Sequence, residues 1–220
     1  MKTGYLNILF DLDGTLTDSA LGICKSVQYA LKQYGIEAGL EEIKPFIGPP
    51  LHQSFINSYG FSEKEAFRAV EHYRDYYRET GIYENRLYPS VPEMLKALAG
   101  GGRKLFVATS KPTVFAEKIV RLFNLHRYFT IIAGSNLDGT RVEKSEVIGY
   151  VLDNIARPDR TETVMVGDRR HDIGGARALD IDSIAVTYGY GSLEELRKAG
   201  PDHIAHSVRE LKELLLSLPQ

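Results

Sequence analysis

The 220-residue chain has one cysteine, three methionines and no tryptophan. A lone Cys24 excludes an internal disulfide and any zinc site built on several thiolates, and it fits a reducing compartment. Neither sign of charge dominates. The 29 acids face 27 lysines and arginines, a formal net charge of −2, so no basic field is present to hold a nucleic-acid backbone. No apolar run approaches the length of a membrane span. The short run at the N-terminus stops at Asp11 without a small-residue cleavage site, which argues against a signal peptide. Internal repeats, coiled-coil registers and low-complexity tracts are also missing. What remains, 43% apolar and 25% charged, is the profile of a soluble globular chain, expected in the cytoplasm. The length suffices for one large core, or for a core with a smaller accessory domain.

Periodicity divides the chain into two regimes. Tyr5 to Phe10 reads as a short strand buried on both faces, and it ends at Asp11-Leu12-Asp13-Gly14-Thr15. Asp18 or Ser19 can cap a helix running to about Tyr34, with Ile23, Val27, Leu31 and Tyr34 as its apolar stripe and Cys24 as core filling beside it. A connector with Pro45, Gly48, Pro49 and Pro50 leads to a helix from about Leu51 to Ser58. Ser62-Glu63-Lys64-Glu65 matches a capping box and opens a helix whose stripe is Ala66, Val70, Tyr73 and Tyr77. Residues 17–86 thus read as consecutive helices without a strand. From Leu87 the pattern alternates. Ser90 is expected to cap a helix, Lys104 to Ala108 forms a strand, and Pro112 starts the next helix. Phe129 to Ala133 is a strand, Glu143 to Ile155 a helix, Thr163 to Val166 a strand and Ser183 to Thr187 another. Ser192 and Ser207 look like caps of late helices, and His203 to Ala205 has the pattern of a short edge strand. The expectation is an α/β fold: a doubly wound parallel sheet core from residues 1–16 and 87–220, with an inserted helical domain over residues 17–86.

In such a sheet the C-terminal ends of the strands share one edge. The first strand delivers Asp11 and Asp13 there, the second Thr109 and Ser110, and the fourth Asp168, with Asp172 four residues on. Lys144 opens the helix after the third strand. Clustered carboxylates raise one another's pKa unless a cation compensates them, and oxygen-only donors favour a hard ion such as Mg2+. Lys144 and the Thr109 hydroxyl would hold the oxygens of an anionic substrate. An EF-hand beginning at Asp11 fails, because Thr15 and Leu16 stand where a ligand and a glycine are needed.

Asp11-Leu12-Asp13-Gly14-Thr15-Leu16 resembles motif I of the haloacid dehalogenase-like hydrolase superfamily. Thr109 resembles its second motif, Lys144 its third, and Gly167-Asp168 through Asp172 its fourth. The helical insertion, Leu87-Tyr88-Pro89 at its exit and Phe46-Ile47-Gly48-Pro49-Pro50 inside it resemble the phosphoglycolate phosphatase-like branch, some members of which are 5′-nucleotidases. The resemblance implies a Mg2+-dependent phosphatase acting on a small phosphorylated metabolite. Asp11 would attack phosphorus and form an aspartyl-phosphate. Asp13 would protonate the leaving alcohol and later deprotonate the hydrolytic water. Thr109, Ser110 and Lys144 would bind phosphate. Asp11, Asp13 through its backbone carbonyl, Asp168 and Asp172 would hold the metal, and the helical cap would close over the site and set specificity. Halide-releasing members lack an acid at the position of Asp13, so an oxygen leaving group is implied. Ser145 stands where relatives often have proline after the lysine, and Arg141 is a second cation nearby.

Other readings stand beside this one. A pyrophosphatase or a phosphosugar mutase would use the same covalent intermediate. A receiver-like phospho-accepting module would also gather acids, a threonine and a lysine on such a sheet, but it needs neither the helical insertion nor a second acid two residues from the acceptor. Tyr73 and Tyr77 read as core, His171 as part of a solvated turn, and Gly174-Gly175 as a site of close helix packing.

Overall fold

The structure, a computed structural model, describes residues 4–155 and 158–217. Strand β1 (Asn7–Phe10) is followed by a two-residue strand β2 (Thr17–Asp18) and helices α1 (Ala20–Lys32), α2 (Leu40–Ile43), α3 (Leu51–Tyr59) and α4 (Glu63–Glu79). After β3 (Arg86–Leu87), helices and strands alternate: α5 (Val91–Gly100), β4 (Lys104–Pro112), α6 (Thr113–Leu122), β5 (Phe129–Ser135), α7 (Lys144–Asp153), β6 (Thr163–Gly167), α8 (Arg170–Ala178), β7 (Asp182–Val186), α9 (Leu193–Ala199), β8 (His203–Ala205) and α10 (Val208–Ser217). The chain divides into two compact units, one holding residues up to Thr17 and from Leu87 onward, the other Asp18–Arg86. Among the described residues no helix is long and apolar enough to cross a membrane.

The helical unit buries the stripe of α1 against that of α4. Ile23, Val27 and Leu31 are buried, as are Ala66, Val70, Tyr73 and Tyr77. The rings of Tyr73 and Tyr77 stack with centroids 5.4 Å apart, and Cys24 is buried as a free thiol. Ser62 forms the expected box, its side chain accepting from the Glu65 N–H while the Glu65 carboxylate accepts from the Ser62 N–H. Residues 17–86 are not free of strands, however: β2 and β3 form a two-stranded ribbon.

In the larger unit six strands form one sheet in the order β5-β4-β1-β6-β7-β8, with every neighbouring pair parallel. β1 is central, and all four of its side chains are buried, the continuous apolar pattern of a parallel strand covered on both faces. Leu9, Phe106, Ala133 and Met165 project from adjacent strands into a cluster closed by Val147, Ile148, Val151 and Leu152 of α7 and Ala176 of α8. The strands on one side of β1 precede those on the other in sequence. The order therefore reverses at β1, and the crevice outside its C-terminal end is where such folds bind ligands.

Two local expectations change. Ser90 does not cap α5 with its side chain. Its φ of 68° is left-handed, whereas a capping side chain reaches the helix N–H groups from extended backbone. β4 continues past Ala108 to Pro112, with its register against β5 shifted between those two residues, and α6 begins at Thr113.

Across the sheet the buried Tyr5 donates from its hydroxyl to Asp182 Oδ2 at 2.7 Å, tying the approach to β1 to β7. Tyr5→Phe keeps the ring and removes this bond, so stability to urea should fall by about 1–2 kcal/mol. Unchanged stability would mean that water replaces the bond at no cost.

Candidate active site

Asp11 leaves the end of β1 with its N–H donated to the Val166 carbonyl of β6 at 2.9 Å. The chain then turns within a few residues. Leu12 O accepts from the N–H groups of Leu16 and Thr17 at 2.9 Å each, and Gly14 N–H donates to Thr17 O at 2.7 Å. Gly14 has φ +85°, and a Cβ there would lie 2.2 Å from Asp168 Oδ2, so no other residue fits this turn without displacing Asp168.

Three carboxylates converge beside the turn: single oxygens of Asp11, Asp168 and Asp172 lie within 4.8 Å of one another. All three residues are buried, Asp168 completely. Lys144 meets them at the first position of α7, where Glu143 and Glu146 form a capping box. Its ammonium lies 2.9 Å from Asp11 Oδ1 and 2.8 Å from Asp172 Oδ1, and it donates to the Ala108 carbonyl at 3.1 Å. Asp172 Oδ2 accepts from the Arg169 N–H at 3.0 Å, so this acid also caps α8. Among the described residues no lysine pairs with Asp168. Its Oδ2 accepts from the Tyr190 N–H at 2.7 Å, and its Oδ1 accepts a long bond of 3.5 Å from the Thr15 hydroxyl.

The electrostatics follow from burial. Loss of water pushes the Asp168 carboxyl well above the ordinary carboxylate range, and Asp172 and Asp11 push it further. Asp172 is raised chiefly by burial, against the pull of Lys144. Burial alone would lower Lys144, but Asp11 and Asp172 outweigh it and leave the amine above its ordinary value. Three buried acids share one lysine, an excess of acid over base. That excess, with an oxygen-only donor set, fits a hard divalent cation, which Asp11, Asp168 and Asp172 could hold.

The remaining expected residues lie on the same sheet edge with other partners. The Asp13 carboxylate is not one of the three that converge; its Oδ2 pairs with Lys111 at 2.8 Å. Thr109 is buried two residues beyond Val107, which pairs with Phe10, and its hydroxyl accepts from the Lys111 N–H at 3.3 Å. Ser110 is anchored through its carbonyl, which accepts from the Ser135 hydroxyl at 2.9 Å. Arg141 turns elsewhere, donating to Gly134 O at 2.7 Å and stacking on Tyr150, which leaves Lys144 as the cation on the acids. His171 is not in a solvated turn. It lies half-buried in the first turn of α8, where burial lowers its pKa. Of the Gly174-Gly175 pair, only Gly175 packs closely, against the Lys144 side chain; a Cβ at Gly174 would meet open space.

Lys111 and the loop after β7 are absent from the sequence reading. In that loop Tyr188 donates from its hydroxyl to Thr15 O at 3.1 Å, and Tyr190 supplies the N–H on Asp168. The run Tyr188-Gly189-Tyr190-Gly191, glycines alternating just after a strand end, is the signal that points to it.

Comparison with known proteins agrees with this geometry. A family model described as haloacid dehalogenase-like hydrolase matches residues 8–186. The chain is 50% identical to a 5′-nucleotidase of Pseudomonas aeruginosa over 97% of its own length and 96% of that protein's. It is 30% identical to a phosphoglycolate phosphatase of Vibrio parahaemolyticus over 94% and 95% of the two chains. The crystal structure of a predicted phosphatase from Clostridium acetobutylicum superposes with a TM-score of 0.95 at 45% identity, covering 98% of this chain and all of that one.

The cation fit yields a linked prediction. Because the folded chain holds the Asp168 proton to higher pH than the unfolded chain does, metal-free stability falls as pH rises through that interval. Saturating Mg2+ should therefore raise Tm more at about pH 8 than at about pH 5. Asp168→Asn should raise the metal-free Tm at the higher pH and remove the Mg2+ effect. Equal Mg2+ shifts in both proteins would place the cation elsewhere.

Proposed function

The chain belongs to the haloacid dehalogenase-like hydrolase family, and from that premise we propose that it is a Mg2+-dependent phosphatase of small phosphomonoesters, with Asp11 as the nucleophile. The observation that carries the reading is the Lys144 ammonium bridging Asp11 and Asp172 at the sheet edge, beside the buried Asp168. A carboxylate held in place by a lysine is suited to attack an electrophile.

In this mechanism an Asp11 oxygen forms a bond to phosphorus while the ester oxygen–phosphorus bond breaks. The departing alcohol oxygen takes its proton from Asp13. Water then attacks the phosphorus of the aspartyl-phosphate, Asp13 takes the water's proton, and the Asp11 carboxylate is released with inorganic phosphate. Thr109, Ser110 and Lys144 are the proposed phosphate-binding groups. The cation, when bound by Asp11, Asp168 and Asp172, neutralises the acids and the incoming phosphate. Asp13 is assigned to the proton because its carboxylate stands apart from the three that converge.

The half-identical 5′-nucleotidase favours a nucleoside 5′-monophosphate as substrate, and the more distant phosphoglycolate phosphatase supports phosphoglycolate as the second reading. A panel of both, with pyrophosphate and sugar phosphates, scored by kcat/KM, decides between them. Asp11→Asn should remove sustained turnover and the acid-stable labelled protein seen on quenching with radiolabelled substrate, while leaving the circular dichroism spectrum unchanged. Turnover retained by that variant would sink the mechanism. One phosphoryl group retained and one alcohol released per chain, without turnover by the wild type, would favour a phospho-accepting module instead.

A further inference from the structure

Acid–base work by Asp13 requires that one of its two oxygens carry the proton, and the structure gives the two unlike surroundings. Oδ2 lies 2.8 Å from the ammonium of Lys111. Oδ1 is buried and has no hydrogen-bond partner. We propose that Lys111 is a positioning residue that fixes Oδ1 as the oxygen through which Asp13 exchanges its proton. The inference rests on the phosphatase reading given above.

Lys111 is aimed by an irregularity in β4. Ala108 pairs with Ala133 and Pro112 with Ser135, so three residues of β4 stand against the single Gly134 of β5. Extra residues of this kind bend a strand and redirect its side chains, and they recur beside active sites. Here the bulge is held from several directions. Ser135 Oγ donates to Ser110 O at 2.9 Å, and the Lys111 N–H donates to Thr109 Oγ1 at 3.3 Å. Gly134 N–H donates to Thr113 Oγ1 at 3.0 Å, and Arg141 closes the same corner through Gly134 O and Thr113 Oγ1. Gly134 runs so close beneath the bulge that a Cβ would lie 2.1 Å from Lys111 O. The result is a lysine whose side chain is 6% exposed, with its charge on an acid whose side chain is 14% exposed. A buried ammonium needs such a partner, so the pair is a fixed feature of the edge.

The consequence for proton transfer is geometric. A carboxyl oxygen that accepts from an N–H does so whether the group is ionised or neutral, which leaves the other oxygen to carry the proton. Lys111 therefore reserves Oδ1 as the donor to the departing alkoxide and as the acceptor from the hydrolytic water. It gains and loses no proton itself. A free carboxylate would rotate, and misplacing a catalytic group by about 1 Å can cost a hundredfold in rate.

Lys111→Met and Lys111→Gln test the assignment, each read on two esters with Mg2+ present. An alkyl phosphate needs a proton on its leaving oxygen, whereas p-nitrophenyl phosphate does not. For Lys111→Met, kcat/KM on the alkyl ester should fall about tenfold to hundredfold, and on p-nitrophenyl phosphate by no more than about threefold. Lys111→Gln, which restores a donor to Oδ2 without the charge, should recover part of the alkyl activity. Equal losses on both esters, or no loss on either, would overturn the assignment, and thermal melts of both variants separate these results from misfolding. Asp13→Asn is the reference for the underlying reading. If it fails to discriminate between the esters, the acid–base role itself falls. If it discriminates and Lys111→Met does not, only the positioning role falls.

Discussion

The contact on which the site depends is the buried ammonium of Lys144, set between Asp11, Asp172 and the Ala108 carbonyl. It joins the end of β1, the middle of β4, the start of α7 and the start of α8 in one place. Removing it would leave acids facing one another without solvent, which is far costlier than losing a surface pair. Even with it the balance is incomplete, because Asp168 is buried with only N–H and hydroxyl donors. A fold that holds more buried negative charge than it neutralises has given up stability at that point. In globular proteins such concentrations mark sites where a ligand completes the set.

The sheet makes this arrangement affordable. β1 lies in the middle of six parallel strands, and its neighbours β4 and β6 fix Asp11 from both sides before any side chain is considered. Below the acids, Leu9, Phe106 and Met165 pack against α7 and α8, so the two helices that present Lys144 and Asp172 are held by the same apolar layer as the strands. Caps finish the placement: Glu143 opens α7 just before Lys144, and Asp172 is itself the capping acid of α8. Gly175 lets α8 approach the Lys144 stem closely. Side-chain chemistry, helix starts and core packing therefore constrain one another.

How far this was legible in the sequence depends on what encodes each position. The parallel sheet was legible, because apolar runs alternating with amphipathic helices admit few other arrangements. Asp11, Lys144, Asp168 and Asp172 could be brought to one edge by the same logic, since each follows a strand end or opens a helix. Ser90 is not legible in this way, because a capping-box pattern does not report a left-handed backbone, from which the side chain makes no cap. Lys111 was missed for a related reason. It belongs to a bulge whose register is set by Gly134, Ser135 and Arg141, distant residues that no local periodicity connects. Tyr190 reaches Asp168 through a backbone N–H, a group every residue but proline carries and none advertises.

Asp11 and Asp13 show why such details matter to the chemistry. They are two residues apart in one tight turn and identical in type, and yet the fold assigns them different lysines from different elements. Asp11 shares Lys144 with Asp172 and lies in the carboxylate cluster, where the shared ammonium holds it in place. Asp13 has one oxygen paired with Lys111 and the other buried without a hydrogen-bond partner, outside that cluster. Two like acids can carry unlike duties only when their surroundings push them apart. Here the separation comes from backbone geometry, a helix start for one lysine and a strand bulge for the other, so the difference is built in before any substrate arrives.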